Sequence, residues 1–456
     1  MDRPAARNTI AVTLVAWLLV LQLLLLAPAP AAARRVSPAT TVNQAPNFLS
    51  RKPLRSGTNA LVKKARRRNR NTDQLGSAAA DDAGYIVLYN VSIGATQNDV
   101  SGVVDVLNDF VWTKQCAAAP VRVPCASQTC RSILANDTTD TCAGNPNGDD
   151  RCRYFYVYGP GINTTGFVAN ESVAVASGSI VGSALLGCSA ANSTVPLDDE
   201  PGSFGFNRGS LSFVSQLSVN KFSYYLAADE AGNSDSESVV LLGDAAVPQT
   251  RRGGRSTPLL RGTAFPDVYY VKLTSIQVDG QALSAIPAGA FDLAADGSSG
   301  GVVMSTLASV TLLQEDAYKA VRQALASKIT AQEVSGSAFA GGIFDLCYNA
   351  QSVAALTFPK LTLVFDGGDA PAIELTTVHY FFKDDVTGLQ CLTMLPTPVG
   401  TPFGSVLGIM VQAGTNMIYD IGGETLTLEE GAAAPATSQV SLMAIASLLL
   451  AWVQLF

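Results

Sequence analysis

Histidine is nearly absent: His379 is the one example in 456 residues. That excludes a multi-histidine metal site or a heme held by paired histidines. No Cys-x-x-Cys pair occurs among the eight cysteines, which excludes a zinc cluster, and no metal or other cofactor is expected. Charge is sparse at 15% of residues and aromatics stand at 7%, yet 48% of the chain is hydrophobic. That is enough for a large core and incompatible with disorder along the whole length. Basic residues are concentrated at one end. Residues 1–80 hold 13 Lys and Arg against two acidic residues, which leaves 17 basic and 35 acidic residues for the rest. So acidic a body argues against nucleic-acid binding.

The ends read as processing signals. Arg3 and Arg7 precede an apolar run from Ile10 to Leu26, and Ala31-Ala32-Ala33 offer a cleavage site, so residues 1–33 are expected to be a secretory signal peptide rather than an uncleaved anchor. Residues 34–80 are polar and basic, with the block Lys63-Lys64-Ala65-Arg66-Arg67-Arg68, and read as a propeptide-like segment. At the other end Val440–Phe456 is apolar and uncharged. The small residues Gly431-Ala432-Ala433 and a short polar spacer precede it. That order fits a glycolipid-anchor signal over 431–456 with attachment near Gly431; a terminal membrane helix or a buried terminal helix is the alternative. An extracellular protein, held at the plasma membrane by a lipid, is the expectation.

Export allows disulfides. Cys116, Cys125, Cys130, Cys142, Cys152 and Cys188 fall in the first half of the body, where their pairing is left open. Cys347 and Cys391 are the only pair available inside the second half. Five glycosylation sequons, at Asn90, Asn136, Asn163, Asn170 and Asn192, agree with export.

From Gly84 onward, short alternating runs such as Tyr85–Tyr89 and Val268–Leu273 are punctuated by Gly, Asn, Asp and Pro, a mainly β signature. Helical spacing is confined to Gln314–Ile329, and to Ser210–Leu217 with Ser210 as N-cap. Gly102-Val103-Val104 returns as Gly301-Val302-Val303. An apolar pair with glycine follows the second at Val406-Leu407-Gly408, and the less clean Ser203-Phe204-Gly205 follows the first. The expected architecture is all-β and bilobal, with an N-terminal lobe over 84–250, a linker over 251–264 and a C-terminal lobe over 265–430.

Asp105 ends the buried strand Gly102-Val103-Val104-Asp105. A carboxylate there is costly unless it is paired. It is either a turn cap or half of a dyad in which two carboxylates share one proton. Here the chain resembles the pepsin-like aspartic peptidases, in the plant nepenthesin-like branch. The resemblance runs from about Gly84 to Glu430. It rests on Asp105, Asp109, Val111, Trp112, Thr113 and Cys116 around the first catalytic position. Further on it rests on Cys152-Arg153-Tyr154 and Tyr158-Gly159 at the flap, Gly187-Cys188, Phe344–Tyr348, Leu407-Gly408 and Met417–Asp420. The resemblance implies two pseudo-symmetric β lobes, a central cleft for a polypeptide, and Tyr158 as the flap tyrosine.

The catalytic motifs depart from the family. Asp-Thr-Gly-Ser is replaced by Asp105-Val106-Leu107-Asn108, and Asp-Ser/Thr-Gly by Ser305-Thr306-Leu307; the internal repeat would instead set Met304 opposite Asp105. Val106 is expected to forfeit the hydrogen bonds that lock the two loops. Leu107 is expected to intrude where substrate would lie, and Ser305 to stand at the second acid's place. Asp296, Glu315 and Asp316 lie too far along the chain to substitute. One carboxylate beside a serine has no partner acid for the leaving amine. The plant xylanase inhibitors of this fold show a similar decay. A monomeric, catalytically inactive binding or inhibitor-like protein is therefore expected, with an active aspartic endopeptidase as the alternative. His379, in Val378–Phe382, reads as a half-buried strand residue rather than a base.

Overall fold

The computed structural model describes residues 88–94, 98–117, 119–133, 150–159, 162–175, 179–190, 202–226, 239–248, 254–308, 310–334, 344–384 and 387–430. The leader, the basic segment and the tail after Glu430, with Gly431, lie outside the described residues, as do Asn136 and Asn192.

Seven strands build the first sheet: β1 (Leu88–Ile93), β2 (Asn98–Asp105), β3 (Val111–Thr113), β4 (Arg153–Gly159), β5 (Ile162–Val175), β6 (Ser179–Ser189) and β7 (Gly202–Gly205), in the order β1-β2-β7-β3-β6-β5-β4. A second sheet joins the two halves of the chain. It takes β8 (Lys221–Tyr225), β9 (Val239–Leu242) and β10 (Arg255–Pro258), and pairs them with β23 (Thr415–Asp420) and β24 (Thr425–Glu430). The segment read as a linker therefore carries a strand: Thr257 is buried there, and β10 runs antiparallel to β24.

The second half supplies three more sheets among the described residues. One contains β11 (Tyr270–Val271), β14 (Val302–Met304), β15 (Thr311–Leu313), β21 (Met394–Pro396) and β22 (Ser405–Leu407). The others contain β12 (Leu273–Val278), β13 (Gln281–Ala282), β17 (Leu361–Phe365) and β18 (Ala372–Leu375), and β16 (Cys347–Asn349), β19 (Phe381–Asp384) and β20 (Leu389–Leu392). Strand β17 shows why: Leu361, Leu363 and Phe365 are buried while Thr362 and Val364 are half-buried, the period of two that a one-sided sheet requires.

The short repeat seen in the sequence is a structural repeat. β2 runs parallel to β7 with Val104 opposite Phe204 and Asp105 opposite Gly205; β14 runs parallel to β22 with Val303 opposite Val406 and Met304 opposite Leu407. Each glycine after the apolar pair permits a close crossing. A Cβ on Gly205 would lie 2.4 Å from the Asp109 carbonyl carbon, and one on Gly408 would lie 2.2 Å from the Val310 oxygen.

Helices are few: α1 (Gln128–Ile133), α2 (Phe213–Gln216), α3 (Glu315–Lys328), α4 (Ala350–Val353) and α5 (Thr377–Tyr380). Helix α3 is the longer of the two that helical spacing predicts. The Gln314 side chain accepts from the Asp316 and Ala317 N–H groups, acids fill its first turn, Lys328 its last, and Ala317, Tyr318, Val321 and Leu325 face inward. Helix α2 starts later than the sequence suggests. Its N-cap is Ser212, not Ser210, because Ser212 Oγ is the one that accepts the Ser215 N–H.

His379 also departs from its strand assignment. It lies in α5, buried, with Nδ1 accepting the Thr376 N–H at 3.0 Å and Nε2 at 3.1 Å from the Ala413 carbonyl. That carbonyl can only accept, so Nε2 carries the proton. Disulfides join Cys116 to Cys188, Cys130 to Cys152 and Cys347 to Cys391; Cys125 is also disulfide-bonded.

Aromatic rings pack where the two halves meet. Phe222 and Tyr419 stack 4.6 Å apart, Tyr269 lies 5.1 Å from Tyr419, and Arg208 places its guanidinium carbon 4.5 Å from the Tyr269 ring centre.

Candidate functional site

The site forms where β2 and β14 end. Both strands finish in a tight turn in which a side-chain oxygen collects the next backbone N–H groups. Asp105 Oδ1 accepts from the Leu107 and Asn108 N–H groups at 3.0 and 3.3 Å. Ser305 Oγ accepts from the Leu307 and Ala308 N–H groups at 3.3 and 3.0 Å. The two turns match bond for bond, so Ser305, not Met304, occupies the place equivalent to Asp105. Asp296, Glu315 and Asp316 are exposed and engaged elsewhere, Asp296 with Ser298 and Glu315 with Lys319.

The two turns are locked to one another, contrary to the expectation drawn from Val106. Thr306 Oγ1 donates to the Val104 carbonyl at 2.6 Å and accepts the Val106 N–H at 3.2 Å. The threonine lost from the first motif leaves only half of the reciprocal arrangement missing, because Thr306 reaches across from the second. Beneath it, Gln412 Nε2 donates to the Ser305, Leu407 and Gly408 carbonyls at 2.9–3.1 Å, and its Oε1 accepts from the Tyr224 hydroxyl. All of these groups are buried.

Leu107 corrects a second expectation. Its side chain is 2% exposed and packs in a cluster with Phe110, Trp112 and Tyr154 of the first half and Val303, Ala308 and Phe403 of the second. It is turned into the core rather than standing in an open cleft. Its φ is not positive, so a side chain is tolerated where the family keeps glycine.

Asp105 is 1% exposed. Burial pushes its carboxyl above the usual aspartate value, while the Asn108 amide and the two backbone N–H groups pull in the other direction. Asn108 Nδ2 donates to Asp105 Oδ2 at 2.6 Å, and Asn108 Oδ1 accepts the Tyr156 hydroxyl at 2.5 Å. A continuous chain thus runs from the flap strand β4 through Asn108 to Asp105. The sequence reading missed Tyr156. The pair Tyr154-x-Tyr156 contained the signal, since alternate residues of a strand share a face. Tyr158 itself lies in β4, at the tip of the β4–β5 hairpin.

A second titratable group was also missed. Asp109 is half-buried, and burial together with the nearby Asp267 and Asp105 carboxylates pushes its pKa up to about 6. Asp267 is raised too, by burial that Arg261 and Arg208 only partly offset. Of the sequons, Asn90 lies in β1, while in β5 Asn163 is half-buried and Asn170 exposed.

Comparison with known proteins gives one answer across both halves. The sequence model for the xylanase inhibitor N-terminal family matches residues 88–244, and that for the xylanase inhibitor C-terminal family matches residues 268–430. Aspartic proteinase nepenthesin-1 of Nepenthes gracilis is 31% identical over 369 residues, covering 77% of this chain and 78% of the relative. The Arabidopsis thaliana protein Aspartic Protease in Guard Cell 2 is 30% identical over 342 residues, covering 72% and 69%. Among solved structures, basic 7S globulin from soybean shares the fold with a TM-score of 0.57 at 18% identity, over 77% of this chain and 92% of that one. Conglutin gamma from lupine seeds does so with a TM-score of 0.56 at 17% identity, over 75% and 90%.

Proposed function

Since this chain belongs to the pepsin-like aspartic peptidase family, in its nepenthesin and xylanase-inhibitor-like branch, we propose that it is a non-catalytic member that binds a protein partner, as a monomer, in the manner of an inhibitor. One observation carries the proposal: the place equivalent to Asp105 holds Ser305, whose oxygen is occupied in capping its own turn.

Peptide hydrolysis by this family's chemistry needs one carboxylate to take a proton from water and a second acid to protonate the leaving amine. A serine hydroxyl is far too weak an acid for the second task. Asp105 is poorly suited to the first, because three N–H donors already face its two oxygens and its side chain is buried. Loss of one member of such a unit removes most of the rate. Retention of Asp105 and of a tyrosine at the flap tip favours the second reading, an endopeptidase with an unusual site.

Asp105→Asn separates the two. An asparagine keeps an oxygen for the Leu107 and Asn108 N–H groups, and reorientation of the Asn108 amide satisfies the rest. The neutral side chain also escapes the cost of burying a charge. Assayed beside the unmodified protein, the variant is expected to show the same lack of peptide cleavage and an equal or higher melting temperature at pH 7. Cleavage by the unmodified protein that the variant abolishes would establish the endopeptidase instead.

Location belongs to the same proposal. An exported protein, N-glycosylated on the first half and lipid-anchored near Gly431, accounts for the leader, the sequons and the uncharged tail. Among the described residues no helix is long and apolar enough to cross a membrane. Treatment of membranes with a phospholipase that cuts glycolipid anchors is expected to release the protein. Retention, with residues 440–456 present by mass spectrometry, would refute the anchor.

A further inference from the structure

We infer that the outer face of the β4–β5 hairpin is a binding surface for a carboxylate-bearing polysaccharide. Alternation along β4 turns Tyr154 inward and leaves Arg153 and Phe155 exposed. Across the hairpin Arg153 stands opposite Phe167, and Phe155 opposite Thr165, so these side chains share the outer face. Two further arginines reach the same place. The guanidinium carbons of Arg122 and Arg151 lie 5.6 and 5.1 Å from the centre of the Phe167 ring. Two guanidinium groups therefore lie by one phenyl ring, with a third arginine paired across the ladder from it, in a body where acidic residues outnumber basic ones two to one. Phe155, half exposed, stands on the same face and is one of the four large hydrophobic side chains exposed among the described residues.

This chemistry suits a uronate chain. Guanidinium is planar and presents paired N–H donors that match a carboxylate, and stacking on an aromatic ring fixes its orientation. The exposed Phe155 ring offers an apolar face on which the C–H side of a sugar can rest. A protein partner is the less favoured occupant. A stable protein interface buries about 800 Å² on each side around an apolar centre, and one exposed apolar side chain does not supply one. A charged glycan needs no such centre. The surface is also pre-organised, because the inward side chains tie the hairpin down. The Tyr156 hydroxyl is held by Asn108, and the Tyr154 hydroxyl lies 3.0 Å from Thr164 Oγ1. The face lies outside the cleft, so the inference stands whether or not the cleft cleaves peptides.

The test is binding of the full chain to polygalacturonate by calorimetry at low and physiological salt. Binding is expected to weaken with salt and to vanish for the fully methyl-esterified polymer, which keeps the sugar and loses the charge. The pair Arg122→Gln and Arg153→Gln, checked for an unchanged melting temperature, is expected to weaken binding roughly tenfold or more. The corresponding lysine pair, which keeps charge and loses the fork, is expected to fall between. Absence of binding at low salt, or binding unchanged in the glutamine pair, would overturn the inference. Equally tight binding of poly-L-glutamate would overturn the polysaccharide and assign the face to an acidic polypeptide.

Discussion

Thr306→Val is expected to lower the unfolding free energy by about 2–4 kcal/mol. Valine matches the shape of threonine but carries no hydroxyl. The Val106 N–H would lose its acceptor and the Val104 carbonyl a donor, in a place where both residues are at most 1% exposed. Each buried backbone group left unpaired costs roughly 1–3 kcal/mol. The bonds also join turns 200 residues apart, so their loss uncouples the two halves where Leu107 and Ala308 pack together. Denaturant unfolding would show the loss as a lower midpoint. Thr306→Ser, which keeps the hydroxyl, is expected to remain within about 1 kcal/mol of the parent, apart from the missing methyl. Equal stability of the valine variant and the parent would show that the two turns are not coupled through Thr306.

Stability is expected to be greatest in weak acid and to fall by about 3 kcal/mol as the pH rises from about 4 through 6, from Asp109 alone. The sign follows from the direction of the shift. Asp109 titrates near 6 in the folded chain and near 3.8 when unfolded. Between those values the folded state binds the proton that the unfolded state has released. The stabilisation is complete below pH 3.8 and is lost as pH climbs through 6. Asp105 and Asp267, both raised by burial, act in the same sense. Surface carboxylates act oppositely. Asp420, held down by Lys221 against some burial, and Asp279, held down by Lys328, favour the folded state above their unfolded values and lose that contribution in stronger acid. The combined profile is a maximum at about pH 4. Thermal melts across pH 3–8 would show it, and Asp109→Asn should flatten the limb between about pH 4 and 6. A stability that rises steadily to pH 8 would contradict the assignment.

How much of this the sequence carried depends on whether the signal was local. Helix α3 was legible because Tyr318, Val321, Leu325 and Ile329 repeat at helical spacing. The Cys347–Cys391 bond was legible because the second half offers no other pair. The repeated Gly-Val-Val and the later glycines announced the duplicated lobe. Ser212 was not distinguishable from Ser210 as the cap of a four-residue helix, where periodicity has too few turns to speak. His379 sits in an apolar run that reads as a strand, and its helical turn is closed by its own ring nitrogen on the Thr376 N–H, a tertiary detail. Thr306 and Leu107 were read in the light of what the motif lacks. Only the packing shows that a threonine from the second turn reaches the first, and that a leucine in the first finds room in the core. Asp109 appeared ordinary because its acidity is set by burial in the folded chain and then by Asp267, a residue from the other half.

The most direct measurement is peptide cleavage by the purified body over pH 3–6, using a denatured protein and a peptide mixture, with and without pepstatin. With Ser305 where a second carboxylate is required and Asp105 capped by three N–H donors, no cleavage above background is expected at any pH, with or without the inhibitor. Robust cleavage that pepstatin blocks and Asp105→Ala abolishes would contradict the account and make this chain a working peptidase.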